Sequence, residues 1–192
     1  MARIFTFIFS LLAVTTVLPD SISRKDLNSL RQNCIKLFDE KKYSESIHSL
    51  EKYLSFRDEV RFKIYLAKAI LFKEDLNPPK EDDEIFTRQE KIHAVVNNYN
   101  RAARIFAEVV PYMERVTPKE KNLANLYFLW ALSEQFSEDK EKAISLYKKS
   151  ASLSEALRPV ANYNIAALYE DLGQTKDSEI YFNKTGIVKE TK

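Results

Sequence analysis

The clearest patterning of apolar and small residues lies near the C-terminus of the chain. Asn162, Ile165, Ala166 and Tyr169 share one helical face, Gly173 interrupts, and Ser178, Phe182 and Thr185 resume at steps of four and three residues. This predicts two helices joined at the glycine. The same spacing falls on Leu30, Asn33, Cys34 and Leu37, then Tyr43 near a turn, then Ser46, Leu50 and Tyr53. A further copy spans about Asn122 to Leu157, with Ala143, Tyr147 and Ser150 on its second helix. Its first helix reads either through Tyr127, Trp130 and Ala131 or, two residues on, through Leu129, Leu132, Ser133 and Phe136, and the pattern fits both. Between these copies, Ala102, Phe106 and Val109 follow Tyr99 as a second helix, while the matching first helix, Val60 to Phe72, lies well upstream.

These positions follow the W-x2-L-G-x2-Y … A-x3-F spacing, so residues 24 to 190 resemble a tetratricopeptide repeat protein. The repeat-packing slots are Cys34, Ser46, Ala102, Ala143, Ala166, Tyr169, Gly173, Ser178 and Phe182. Departures are Asn162 in a slot usually held by Trp or Leu, Thr185 in a small-residue slot, and Asp58 and Glu190 where proline is common. The resemblance implies an all-α fold: antiparallel helix hairpins stacked as a short right-handed solenoid of about four hairpins (24–57, 58–117, 118–157 and 158–190). It also implies a concave groove lined by the first helices, with Arg31, Ile35, Phe38, Phe128, Tyr163, Ala167 and Glu170 as candidate partner-binding residues. Two readings of the aromatics stand side by side: they line a groove for an apolar partner segment, or they pack against neighbouring repeats. The lysine and asparagine pattern with which one subgroup grips C-terminal carboxylates is not repeated.

Successive small-residue slots also locate an insertion. Ser46 to Ala102 is 56 residues, Ala102 to Ala143 is 41 and Ala143 to Ser178 is 35, against a period of roughly 34. The first excess marks an insertion at 75–88 inside the second unit, and the smaller one fits a connection from Pro111 to Pro118. The insertion carries Asn77-Pro78-Pro79-Lys80 and then Glu81, Asp82, Asp83 and Glu84. Paired prolines require a loop there. The four acids lack the spacing and glycine of an EF-hand loop, and they suit an acidic start to a long helix running from near Glu84 to about Tyr112.

The first residues read differently. Arg3 precedes a mostly apolar run from Ile4 to Leu18, followed by Pro19 and Asp20, the layout of a secretory signal peptide, with Ser21 and Ser23 as a cleavage site. The run is shorter than the roughly 20 residues of a membrane span, and its retention as an anchor is the alternative for residues 1–23. Cys34 is the only cysteine, so no internal disulfide forms, and the residues before it do not suit lipidation. At a helix crossing it reads as a small hydrophobe rather than a redox centre.

Composition narrows the chemistry. Two glycines in 192 residues leave no phosphate-cradling loop, and a net charge of +2 offers no basic field for nucleic acid. His48 and His93 stand on separate predicted helices without ligand spacing, so no metal site is expected. No nucleophile elbow or HExxH is present, so no catalytic residues and no cofactor are assigned. Asn183-Lys184-Thr185 is a formal glycosylation sequon inside a predicted helix.

The expected function is an exported, non-enzymatic scaffold or adaptor that holds a protein or peptide partner in the periplasm or cell envelope. The alternative is a membrane-anchored subunit, associated through residues 4–18, that stabilises a larger membrane complex. A third reading, an enzyme whose site is formed by the 75–88 insertion, lacks any catalytic constellation.

Overall fold

The computed structural model describes residues 22–73, 80–116, 122–137 and 139–186. The signal-like run, the Pro78-Pro79 pair and Pro118 lie outside them. The described residues form eight helices: α1 Arg24–Asp39, α2 Tyr43–Leu54, α3 Val60–Phe72, α4 Ile85–Val116, α5 Leu123–Phe136, α6 Lys140–Leu153, α7 Arg158–Asp171 and α8 Thr175–Asn183. No strand occurs among them. Each helix packs on the next along the chain, the arrangement of a quasi-one-dimensional helical stack.

Local chemistry sets the ends of these helices. Ser23 accepts a hydrogen bond from the Asp26 backbone N–H at 3.1 Å and donates its own hydroxyl to Asp26 Oδ2 at 2.6 Å, so α1 begins with a reciprocal cap. α7 ends at Gly173, whose φ of 72° places it in the left-handed region. There Gly173 N–H donates to Glu170 O and Gln174 N–H to Tyr169 O. The first hairpin turns the same way at Lys41, with φ 60°, a strained choice for a residue with a Cβ.

Cys34, Ser46, Ala102 and Ala143 are fully buried and Ala166 nearly so. Tyr169, Ser178 and Phe182, at the end of the stack, are half-buried. Large side chains fill the space beside the small ones, with Tyr53, Phe62, Phe106, Tyr127 and Tyr147 almost wholly out of solvent. Burial also selects the register of α5. Tyr127, Trp130 and Ala131 are all buried, whereas of the alternative set Ser133 alone is buried, Leu129 and Leu132 being half-buried and Phe136 exposed. The Ser150 hydroxyl donates to the Ala124 carbonyl at 2.9 Å and Tyr147 Oη to Gln135 Oε1 at 2.9 Å, locking α6 onto α5.

Two expectations need correction. Pro111 does not open a connection: α4 continues through it to Val116. An interior proline costs a helix about 3 kcal/mol, and burial of Val109 and Val110, with Met113 packed on the core, holds the last turns in place. The acids 81–84 do not fill the first turn of α4, which carries none. They precede it, and Asp83 accepts from the Lys80 N–H at 2.7 Å and from Lys91 Nζ at 2.6 and 2.8 Å. Among the described residues no group of three or more His, Cys, Asp or Glu converges.

The second hairpin is asymmetric. α3 has 13 residues and α4 has 32. No side chain from Ile85 to Arg101 is buried, and the first buried residue of α4 is Ala102. The insertion is therefore built partly as an N-terminal extension of α4, with Ile85 and Phe86 at 80% and 71% exposure.

Candidate functional site: the groove beside helix three

The first helix of the second hairpin lines a hollow of about 370 Å3. Val60, Arg61, Ile64, Tyr65 and Lys68 of α3 line it together with Met113 of α4, Asn122 at the cap of α5 and Leu126 of α5. Spacing explains the set. Ile64 and Lys68 stand three before and one after the small residue Ala67, as Arg31 and Ile35 stand about Cys34.

Lys68 gives this hollow its chemistry. It is half-buried, and no carboxylate, hydroxyl or ring engages it among the described residues. Desolvation by burial disfavours the ammonium and lowers its pKa from the usual lysine value. Arg61, by contrast, is satisfied: Nε and Nη2 donate to Tyr65 Oη at 2.9 and 2.6 Å. The Tyr65 ring in turn stacks on Phe38 of α1, with centroids 4.5 Å apart and planes 13° apart. An apolar hollow with one unpaired amine at its wall suits an apolar segment bearing a carboxylate.

The residues expected in the groove are not gathered in one place. Phe38 reaches the edge of the hollow through Tyr65. Ile35 packs against the core. Arg31 belongs to a separate cavity at the N-terminal end, where it sits 3.8 Å from Glu59 and over the Phe62 ring. Phe128 makes an edge contact with Tyr147, centroids 5.1 Å apart. Tyr163, Ala167 and Glu170 do come together, around a 240 Å3 hollow with Ala166, Ser178 and Phe182. Ile64 and Lys68 escaped the sequence reading because the insertion separates α3 from its partner helix. Stepping from Ala67 rather than from Ala102 would have found them.

Architecture and groove together define a tetratricopeptide-like helical-repeat fold. No protein-family profile matches the chain and no curated protein matches it. Among solved structures the chain is similar to MamA, itself a tetratricopeptide-like repeat protein: one MamA crystal structure aligns at 17% identity and a TM-score of 0.52, over 83% of this chain and 76% of that one. A second MamA crystal structure aligns at 15% identity and a TM-score of 0.42, over 84% and 90% of the two chains. At these identities the likeness bears on the fold.

Proposed function

We propose that this chain is a non-enzymatic scaffold that holds a protein partner in the groove beside α3, acting in the cell envelope after export. The observation that carries the reading is the Lys68 amine, without a partner among the described residues, at the wall of a largely apolar hollow between stacked hairpins. Repeat stacks of this kind present extended surfaces to other chains. The partner offers a segment with aliphatic or aromatic side chains for Val60, Ile64 and Leu126, and a carboxylate for Lys68. Export rests on Arg3 and the apolar run Ile4 to Leu18.

Affinity capture of the C-terminally tagged full chain from its native cells tests both parts. The expected result is a discrete partner that Lys68→Glu or Ile64→Arg releases, with the recovered chain starting between Ser21 and Lys25. A partner indifferent to both substitutions would remove the groove from the reading. An intact Met1 with integral membrane partners would favour the anchored subunit.

A further inference from the structure

Another cavity, of about 530 Å3, lies among α6, α7 and α8 and shares no lining residue with the α3 groove. Three cationic side chains from successive elements line it: Lys148 of α6, Arg158 of α7 and Lys184 at the end of α8. The other lining residues are Ala151, Ser152, Asn162 and Tyr181, so no carboxylate belongs to the wall among the described residues.

The cations are held in place. Lys148 Nζ donates to Tyr169 Oη at 2.9 Å and lies 5.2 Å from the centre of the Tyr181 ring. Lys184 Nζ lies 4.3 Å from the centre of that same ring, so two ammonium groups share one aromatic side chain. Burial works against the Lys148 charge, but the hydroxyls of Tyr169 and Tyr181 outweigh it, and its pKa stays above the usual lysine value. Arg158 Nε donates to the Ala151 carbonyl at 3.4 Å, and the one carboxylate it meets among the described residues is that of Glu155, 91% exposed and 3.8 Å away. Asn162 explains its departure from the repeat pattern here. Its amide donates to the Lys184 carbonyl at 3.2 Å, tying the end of α8 to α7. The Thr185 hydroxyl donates to Phe182 O at 2.7 Å and closes the same turn.

Three like charges around one cavity repel each other, and an anion between them removes that cost. A carboxylate brings one negative charge, whereas a phosphate group brings close to two, with three acceptor oxygens to meet donors from three directions. We propose that this cavity binds a phosphate group through Lys148, Arg158 and Lys184. The site is independent of the groove beside α3, and neither stands or falls with the other.

Amide NMR of the isotope-labelled full chain, titrated with inorganic phosphate at about pH 8 so that most of it is the dianion, tests the site. Acetate at matched ionic strength serves as the monoanion. The expected result is saturable shifts at 151–152, 158, 160–162 and 181–186 in millimolar phosphate and much smaller ones with acetate. Lys148→Gln, Arg158→Gln and Lys184→Gln should each weaken the phosphate effect by roughly tenfold. Arg158 and Lys184 are exposed, so these variants keep the helical content of the parent, which far-UV circular dichroism verifies. Equal shifts with acetate, or a triple variant that responds as the parent does, would overturn the proposal. A phosphoserine peptide provides the second arm. Tighter binding than inorganic phosphate identifies a phosphoprotein as the source, and equal binding identifies free phosphate or a small phosphate ester.

Discussion

The indole N–H of Trp130 donates to Oε1 of Glu134 across 2.7 Å inside α5, and Glu134 is only 5% exposed. The same oxygen lies 2.7 Å from Lys142 Nζ, which in turn sits 5.3 Å from the centre of the Trp130 ring. A buried carboxylate is thus shared between a neutral donor and a cation.

Removing that carboxylate should be costly. Glu134→Ala leaves the indole N–H without its acceptor, and roughly 2 to 3 kcal/mol of stability should be lost. Glu134→Gln keeps an oxygen for the indole and should cost less. Urea unfolding followed by the fluorescence of Trp130, the only tryptophan, measures both.

Lys68 should behave in the opposite sense. Its pKa is lowered in the folded chain, so the unfolded chain holds the proton more tightly and the charge works against folding at neutral pH. Stability should rise as pH climbs from the folded-state pKa towards the unfolded one. Lys68→Met should remove that rise and increase Tm at pH 7, while binding of a carboxylate-bearing partner falls. Thermal unfolding across alkaline pH separates the two effects.

The Ser46 hydroxyl is buried with no hydrogen-bond partner among the described residues. Ser46→Ala keeps the small side chain required where α1 and α2 meet and removes an unsatisfied group. It should leave stability unchanged or raise it by about 1 kcal/mol. A clear loss in urea unfolding would mean that the hydroxyl is satisfied in solution.

Ala131 and Ala166 occupy the same slot in two hairpins, but their surroundings differ. Ala131 is fully buried in the middle of the stack, so Ala131→Leu should overpack it and cost roughly 1 to 3 kcal/mol. Ala166 borders the 240 Å3 hollow at the end, which gives a larger side chain room, and Ala166→Leu should cost less. Unfolding midpoints of the two variants, compared directly, check the difference.

Cys34 is fully buried, and burial raises its thiol to a pKa of about 11, a backbone hydrogen bond opposing part of the rise. Labelling by a thiol reagent at pH 8 should therefore be slow in the folded chain and rapid in urea. The labelling rate then reports the opening of the first hairpin.

Spacing made the helices legible where each turn of the chain adds to one face. Val60 and Phe72 bound α3 as the pattern has them, and Cys34, Ala102 and Ala143 are buried as small crossing residues should be. Local rules misplaced the end of α4, since the propensity of Pro111 was overridden by the burial of Val109 and Val110. The groove was harder to read. Aromatic residues at groove spacing, Phe38 and Phe128, pack on other rings of the stack, Tyr65 and Tyr147. Lys68, an ordinary residue type in sequence, becomes distinctive only because it is half-buried with no partner among the described residues. Charge convergence across α6, α7 and α8 is likewise invisible along a string in which Lys148 and Lys184 are far apart.

The extension of α4 gives the molecule two tempos. From Ile85 to Asn98 a rise of ~1.5 Å per residue carries the helix roughly 20 Å, and no side chain along it is buried. Its backbone amides are guarded by their own helix and by the Lys91–Asp83 clamp at its start, whereas those of α5 lie inside the stack. Amide protons along this mast should trade with solvent through small, frequent frayings, while those of α5 wait for the hairpins to part. One polypeptide thus carries a fast-exchanging antenna on a slow-exchanging base.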